Sequence, residues 1–164
     1  MTVNEKIVEN VIRREGERFV VELSTCSKYG ITRETLADWR GAIATVEDVR
    51  RLTREEATTF YLAWIDKHRI SEIGDAVLRD LVFDAAVNHG PARGVRWLQR
   101  ALNVEDDGII GEETLGALAA ADARKVYVGV LKRRIMFYGR IVSADPRQAI
   151  YIEGWLNRAA EFIR

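Results

Sequence analysis

The stretch Leu81-Val-Phe-Asp-Ala-Ala-Val-Asn-His-Gly-Pro-Ala-Arg-Gly-Val-Arg-Trp-Leu-Gln-Arg-Ala-Leu-Asn103 decides the fold. Its first half continues the pattern of Val77 and Leu78 through Leu81, Val82 and Ala85, apolar on nearly every side, as a helix central to a core would be. Asn88, His89, Gly90 and Pro91 stop that helix, and Val95, Leu98 and Leu102 start a new stripe at helical spacing. Two helices joined by a tight break leave no room for a strand pattern, so this half of the chain is read as helical.

Working outward, the period of 3.6 residues persists. Ser71 is the expected cap of the central helix. Downstream, Glu105-Asp106-Asp107-Gly108 is a tight-turn signature, followed by a short helix around Leu115 and Leu118. Asp122 is placed to cap a helix burying Tyr127, Val130, Leu131, Phe137, Tyr138 and Ile141. After Asp145-Pro146 a last helix sets Ile152, Trp155, Leu156, Ala159 and Ile163 on one stripe. Upstream, Ile7, Val8, Val11 and Ile12 mark a first helix stopped by Gly16. Thr32 caps a helix carrying Leu36 and Trp39 up to Gly41, and Thr53 with Glu56 forms a capping box ahead of Ala57, Phe60, Tyr61, Trp64 and Ile65. Only Arg18 to Thr32 loses the helical period, and its β-branched and aromatic residues predict a short hairpin or extended loop. The expected fold class is mainly all-α with that hairpin near the N-terminus. No repeat or linker divides the 164 residues, so a single domain is expected, with a front segment at about 5–70 and a helical segment at about 71–160 that does not fold independently.

Composition narrows the chemistry. The chain carries 25 Lys+Arg and 25 Asp+Glu, balanced as 12 and 12 over residues 1–70 and 13 and 13 over residues 71–164. A chain without a basic excess is a poor partner for nucleic acid. One cysteine, Cys26, excludes an intramolecular disulfide, and with only His68 and His89 the chain is short of ligands for a zinc site, so neither metal nor cofactor is expected. No run approaches the ~20 apolar residues of a membrane span. The mixed charges of Met1 to Arg14 resemble neither a signal-peptide core nor an anchor, so synthesis in the cytoplasm without classical export is expected. A monomer is expected.

Glu15 is the most informative residue. It follows Ile12 by three, Val11 by four and Ile7 by eight, and so sits on the apolar stripe of its own helix. A carboxyl group shielded from water there can hold its proton toward neutral pH and act as a general acid; the bland alternative is a helix-end hydrogen bond to a loop. Seven residues on stands Glu22, amid the hydroxyls of Ser24, Thr25 and Ser27, before the chain returns to helix at Gly30-Ile31-Thr32. An acid at a helix end facing a carboxylate across a short hairpin is the arrangement of many lysozyme-like glycosidases.

Arg14-Glu-Gly-Glu-Arg-Phe-Val20 followed by Ser27-Lys-Tyr-Gly-Ile-Thr32 resembles the glycoside hydrolase family 108 pattern of E-G-G, a D-P-G-G turn, a threonine and G-I-T. The 81–103 stretch, Asp106-Asp-Gly-Ile-Ile-Gly-Glu-Glu-Thr-Leu-Gly-Ala-Leu118 and Gly154-Trp-Leu-Asn-Arg158 resemble the predicted peptidoglycan-binding segment that follows it. The resemblance runs from about Ile7 to Arg158. It implies a lysozyme-like domain and a phage or prophage endolysin type of N-acetylmuramidase, which hydrolyses the β-1,4 link between N-acetylmuramic acid and N-acetylglucosamine and reaches the wall through a holin-like pore, lysis or a partner. Glu15 falls on the family's catalytic glutamate. Glu17 stands at the family's second glycine and the D-P-G-G turn is absent; counting back from Gly30-Ile31-Thr32 puts Glu22 at the turn aspartate and Ser27 at the threonine.

Each further candidate has two readings. Glu22 is a base, a stabiliser of the oxocarbenium-like transition state, or a surface carboxylate; Ser27 orients water or satisfies a turn. Asp84 and Asn88, four apart, bind sugar amides in a cleft or form a buried network, the second being favoured. Tyr29, in the loop beside Glu15, is a candidate for stacking on a sugar ring, whereas Tyr61 and Trp64 at helical spacing read as core. His89 reads as a helix-end residue and Cys26 as an ordinary small side chain. Between residues 123 and 144 there are six Lys or Arg and no acid, a mostly solvated face that can also hold the protein near an anionic wall. Two rivals remain open: a non-catalytic wall-binding module and, disfavoured by the scarcity of His and Cys, a wall peptidase or amidase.

Overall fold

The computed structural model describes residues 1–22 and 25–163, except the side chain of Glu22. The chain forms two compact units, Met1–Lys67 and His68–Arg164.

The first unit opens with α1 (Val3–Glu15), started by a capping box in which Thr2 and Glu5 exchange hydrogen bonds. Ile7, Val8, Val11 and Ile12 are buried along one stripe. Gly16, at φ 76°, ends the helix with its N–H on the Ile12 carbonyl. Then β1 (Val20–Glu22), β2 (Thr25–Lys28) and β3 (Ile31–Thr32) form an antiparallel sheet in that order. Val20 lies opposite Ser27, Glu22 opposite Thr25, Ser27 opposite Thr32, and Lys28 opposite Ile31. Tyr29 and Gly30 make the two-residue β2–β3 turn with φ of 55° and 76°; positive values at both central residues are the requirement of a type I′ hairpin.

Thr32 caps α2 (Arg33–Arg40), which ends at Gly41. The five-residue α3 (Val46–Arg50) is absent from the sequence reading, because with Val49 alone buried it shows no periodicity; its one local signal is the capping box of Thr45 and Asp48. From β2, Lys28 Nζ donates to the carbonyls of Arg50 at 3.1 Å and Leu52 at 2.7 Å, satisfying the chain end of α3 and tying it to the sheet. The Thr53 and Glu56 box opens α4 (Arg54–Lys67), whose Ala57, Phe60, Tyr61 and Ile65 pack in the core with α1.

In the second unit α5 (Ala76–His89) is capped by Asp75, not by Ser71. The Asp75 carboxylate accepts from the N–H groups of Val77 and Leu78, whereas Ser71 lies in a short 3-10 turn at Ile70–Glu72. Pro91 occupies the first position of α6 (Pro91–Leu102), where its missing N–H costs nothing. α5 and α6 cross closely at Gly94: a Cβ there would come within 2.7 Å of the Ala86 backbone nitrogen. α7 (Glu112–Ala120) and the long α8 (Ala123–Ala144), capped by Asp122, follow, and a 3-10 run leads into α9 (Ile152–Ala160). Two expected core positions are overturned here: Leu156 and Ile163 are exposed, and Phe162 is the buried residue, its carbonyl accepting the Tyr127 hydroxyl at 2.6 Å.

Gln99, buried on α6, organises the Asp106-Asp107-Gly108 turn. Its Nε2 donates to Asp107 Oδ1 at 2.7 Å and to the Ile109 carbonyl at 3.0 Å, and its Oε1 accepts from the Gly108 N–H at 2.8 Å. Every polar atom of this buried amide is therefore used.

Candidate active site

Glu15 is the last residue of α1 and is half-buried. Its side chain lies against the β2–β3 turn so closely that a Cβ on Gly30 would stand 2.7 Å from Glu15 Oε2 and 2.8 Å from its Cγ and Cδ. Gly30 thus meets two demands, a positive φ and the absence of a side chain where the carboxyl group rests. The residues after Glu15 are fastened to α4: Arg54 reaches Glu17 at 2.6 Å and Glu9 at 2.5 Å. Glu17, standing where the family pattern has glycine, therefore braces the segment that leaves the helix.

Ser27 is half-buried on β2, with Val20 and Thr32 as its ladder neighbours. Glu22 ends β1, and its side chain and all of Ser24 lie outside the described residues. A carboxylate overlooked in the sequence is Glu34, in the first turn of α2, which accepts the Thr25 hydroxyl at 3.1 Å. Its own backbone N–H and that hydroxyl hold its carboxyl below the usual range. The signal was available, since an acid in a helix's first turn is favoured there.

Tyr29 corrects an expectation. Its ring is only 5% exposed and its carbonyl accepts the Tyr61 hydroxyl at 2.8 Å, so it supports the turn from within and presents no free face for a sugar. The aromatic surface lies elsewhere in this unit. α2 and α4 enclose a cavity of about 240 Å³ lined by Trp39 and Trp64, with Thr35, Asp38 and Lys67 as its polar groups. Thr35 Oγ1 is 3.0 Å from Oγ1 of Thr32, the residue paired with Ser27. Trp64, read as core, is half-buried and lines this cavity.

Asp84 and Asn88 belong to the second unit. Asp84 is fully buried and its carboxylate meets two guanidinium groups, Arg134 Nη1 at 2.7 Å and Arg158 Nη2 at 2.9 Å, the buried-network arrangement rather than a sugar-facing one. Arg134 Nε also donates to the Tyr138 hydroxyl, whose oxygen is 3.4 Å from His89 Nε2. Arg134 is therefore no part of a solvated basic face: it is fully buried between Asp84 and Tyr138. Asn88 is half-buried, with its Oδ1 shielded from solvent and lacking a hydrogen-bond partner among the described residues. Burial, with Arg134, Arg158 and Arg93 nearby, pushes the His89 imidazole down to about 3. Among the described residues no group of three or more His, Cys, Asp or Glu is arranged to hold a metal, and no helix is long and apolar enough to cross a membrane.

An acid-bearing helix end set against a three-stranded sheet, with helices supplying the rest, is a lysozyme-like architecture. Residues 8–90 match the model of the family described as glycosyl hydrolase 108, and the chain belongs to that family. Residues 93–160 match a predicted peptidoglycan domain. A solved structure of Brucella abortus SagA is 25% identical, with 96% of this chain and 89% of that chain covered and a TM-score of 0.78. No curated protein matches. Family and second domain together make the protein a glycoside hydrolase directed at peptidoglycan.

Proposed function

We propose that the protein is an N-acetylmuramidase of endolysin type, cleaving the β-1,4 bond between N-acetylmuramic acid and N-acetylglucosamine. The observation that carries this reading is the seating of Glu15 against Gly30, which holds a half-buried carboxyl group at the edge of the sheet. Glu15 acts as general acid on the glycosidic oxygen, a role worth typically 10²- to 10⁴-fold in rate. Glu22 is the second carboxylate, activating water or stabilising positive charge at the anomeric carbon, and Ser27 assists in orienting that water. Trp39 and Trp64 offer ring faces on which successive sugars stack. No cofactor takes part. The protein acts on the cell wall after release from the cytoplasm by a holin-like pore, by lysis or with a partner.

The test is digestion of purified sacculi, with mass spectrometry of the fragments. The wild-type chain is expected to release fragments with new reducing-end muramic acid, and Glu15→Gln, folded by circular dichroism, to release at least 100-fold less. A folded Glu15→Gln chain working at the wild-type rate overturns the assignment. Sacculi bound without hydrolysis would mark a wall-binding module, and cuts within stem peptides a peptidase or amidase.

A further inference from the structure

The second unit carries a cavity that the catalytic reading leaves unused. It measures about 380 Å³ and lies between α6 and α8, opening beside His89. Its floor is aromatic: Trp97 and Phe137 have ring centroids 5.5 Å apart, and His89 is within 5.5 Å of both. Its rim is cationic, with Arg93, Arg96 and Arg100 from α6 and Arg140 from α8. The six basic residues of α8 therefore do not act as one face: Arg134 is buried on Asp84, Arg133 donates to the carbonyls of Gly129 and Arg100, and only Arg140 joins this rim.

The charges are arranged at a cost. Residues 93, 96 and 100 follow the i, i+3, i+7 spacing that places them on one helix face, where like charges repel. Arg100 is paired with Asp106. Arg96 is held by backbone carbonyls, those of Asp106 at 3.1 Å and Asp107 at 3.5 Å, which fix its direction without neutralising it. Arg93 lies 4.5 Å over the Phe137 ring and also meets only a carbonyl, that of His89. Among the described residues Arg93, Arg96 and Arg140 form no ion pair. Three exposed guanidinium groups around an apolar floor, with burial keeping His89 neutral, make a site for a ligand that joins carboxylates to aliphatic chain.

We propose that this cavity binds the free carboxylates of the peptidoglycan stem peptide. Arg93 and Arg140 grip a carboxylate bidentately while its aliphatic portion lies along Phe137 and Pro91. The proposal rests on the reading of peptidoglycan as the partner and deepens it: the first unit works on the glycan, and the second recognises the peptide attached to it.

The test is titration calorimetry on the full chain with two synthetic stem tetrapeptides, one with free carboxylates and one with all carboxylates amidated. The acid form is expected to bind at least tenfold more tightly, and more weakly as salt rises. Arg93→Gln/Arg140→Gln is expected to weaken the acid form at least tenfold, Arg140→Lys to retain part of the affinity, and Lys125→Gln/Lys132→Gln, which removes two charges of α8 away from the cavity, to leave it unchanged. Equal binding of both peptides, or indifference to the arginine pair in a folded chain, overturns the proposal. So does a cavity that takes inorganic phosphate and a glycerol-phosphate polymer but not the acid peptide. Binding by Glu15→Gln separates the two readings: if that variant keeps full hydrolytic rate and still binds the acid peptide, the muramidase mechanism fails and the cavity assignment stands.

Discussion

Glu15 and Gly30 occupy one space: the carboxyl group of the first rests where the second would carry a Cβ, 2.7 Å from Oε2. On the proposed reading of Glu15 as the general acid, the glycine is part of the geometry that aims it. Gly30→Ala places a methyl group against the tip of a side chain that can swing away, so the predicted consequence is displacement of Glu15 rather than collapse of the fold. Gly41, at φ 65° with nothing within 4 Å of an added Cβ, provides the comparison. Both alanine variants should lose about 1–2 kcal/mol from the left-handed backbone alone. Only Gly30→Ala should also lose hydrolysis, on the order of 100-fold, since misplacing a catalytic group by about 1 Å has that scale of effect. Equal activity of the two variants at matched stability would show that the contact does not position the acid.

Asp84 holds two guanidinium groups, one wholly buried and one nearly so. Such a triad contributes little compared with an apolar replacement of the whole set, yet removing one member leaves uncompensated charge in the interior. Asp84→Ala is expected to destabilise the second unit by about 3–5 kcal/mol, read as a lower urea midpoint in its unfolding. A loss below about 1 kcal/mol would mean that water or a rearranged side chain replaces the carboxylate.

How far these features could be read beforehand depended on whether the signal was local. The stripe of Ile7, Val8, Val11 and Ile12, the stops at Gly16 and Gly41, and the caps at Thr32, Thr53 and Asp122 are local, and the structure contains each. Arg134 was half legible: it stands four residues from both Val130 and Tyr138, on the buried stripe of α8, and Asp84 on an apolar helix required a cation. Their pairing spans 50 residues and has no trace in spacing. Tyr29 misled because a loop position suggests exposure, whereas a left-handed turn residue supported by Tyr61 points inward. The Trp39 and Trp64 cavity and the arginine rim each arise where two helices meet, so periodicity within either helix is silent about them.

The His89 environment gives a pH dependence with a definite sign. The ring is packed among Trp97, Phe137 and Tyr138; Arg134, Arg158 and Arg93 oppose its protonation, and Asp84 favours it. With its folded value down to about 3 and an unfolded value near 6.5, only the unfolded chain takes up the proton between those limits. Stability is then full above about pH 6.5 and falls as pH drops, by up to about 1.4 kcal/mol per unit and roughly 2 kcal/mol from pH 7 to pH 5. His89→Phe, which keeps an aromatic ring, should remove about that difference when urea unfolding is compared at the two pH values. An unchanged difference in the variant would assign the slope to other groups.

Gln99 offers the sharpest test of how the second unit is held together. Its amide reaches from α6 to both chain directions of the Asp107 and Gly108 turn and is only 1% exposed, so no shorter or apolar side chain can substitute for it. Gln99→Leu, close in volume, leaves the Gly108 N–H and Ile109 carbonyl without their partner. Both hydrogen bonds are part-buried, so each abandoned group is expected to cost about 1 kcal/mol, the lower end of the range for buried groups. Gln99→Glu keeps the acceptor for Gly108 but sets a carboxylate against Asp107 Oδ1 and the Ile109 carbonyl, and should be at least as damaging near neutral pH and milder as either carboxyl is protonated. If Gln99→Leu unfolds at the wild-type urea concentration, the turn is held by its own glycine geometry and the amide only follows it.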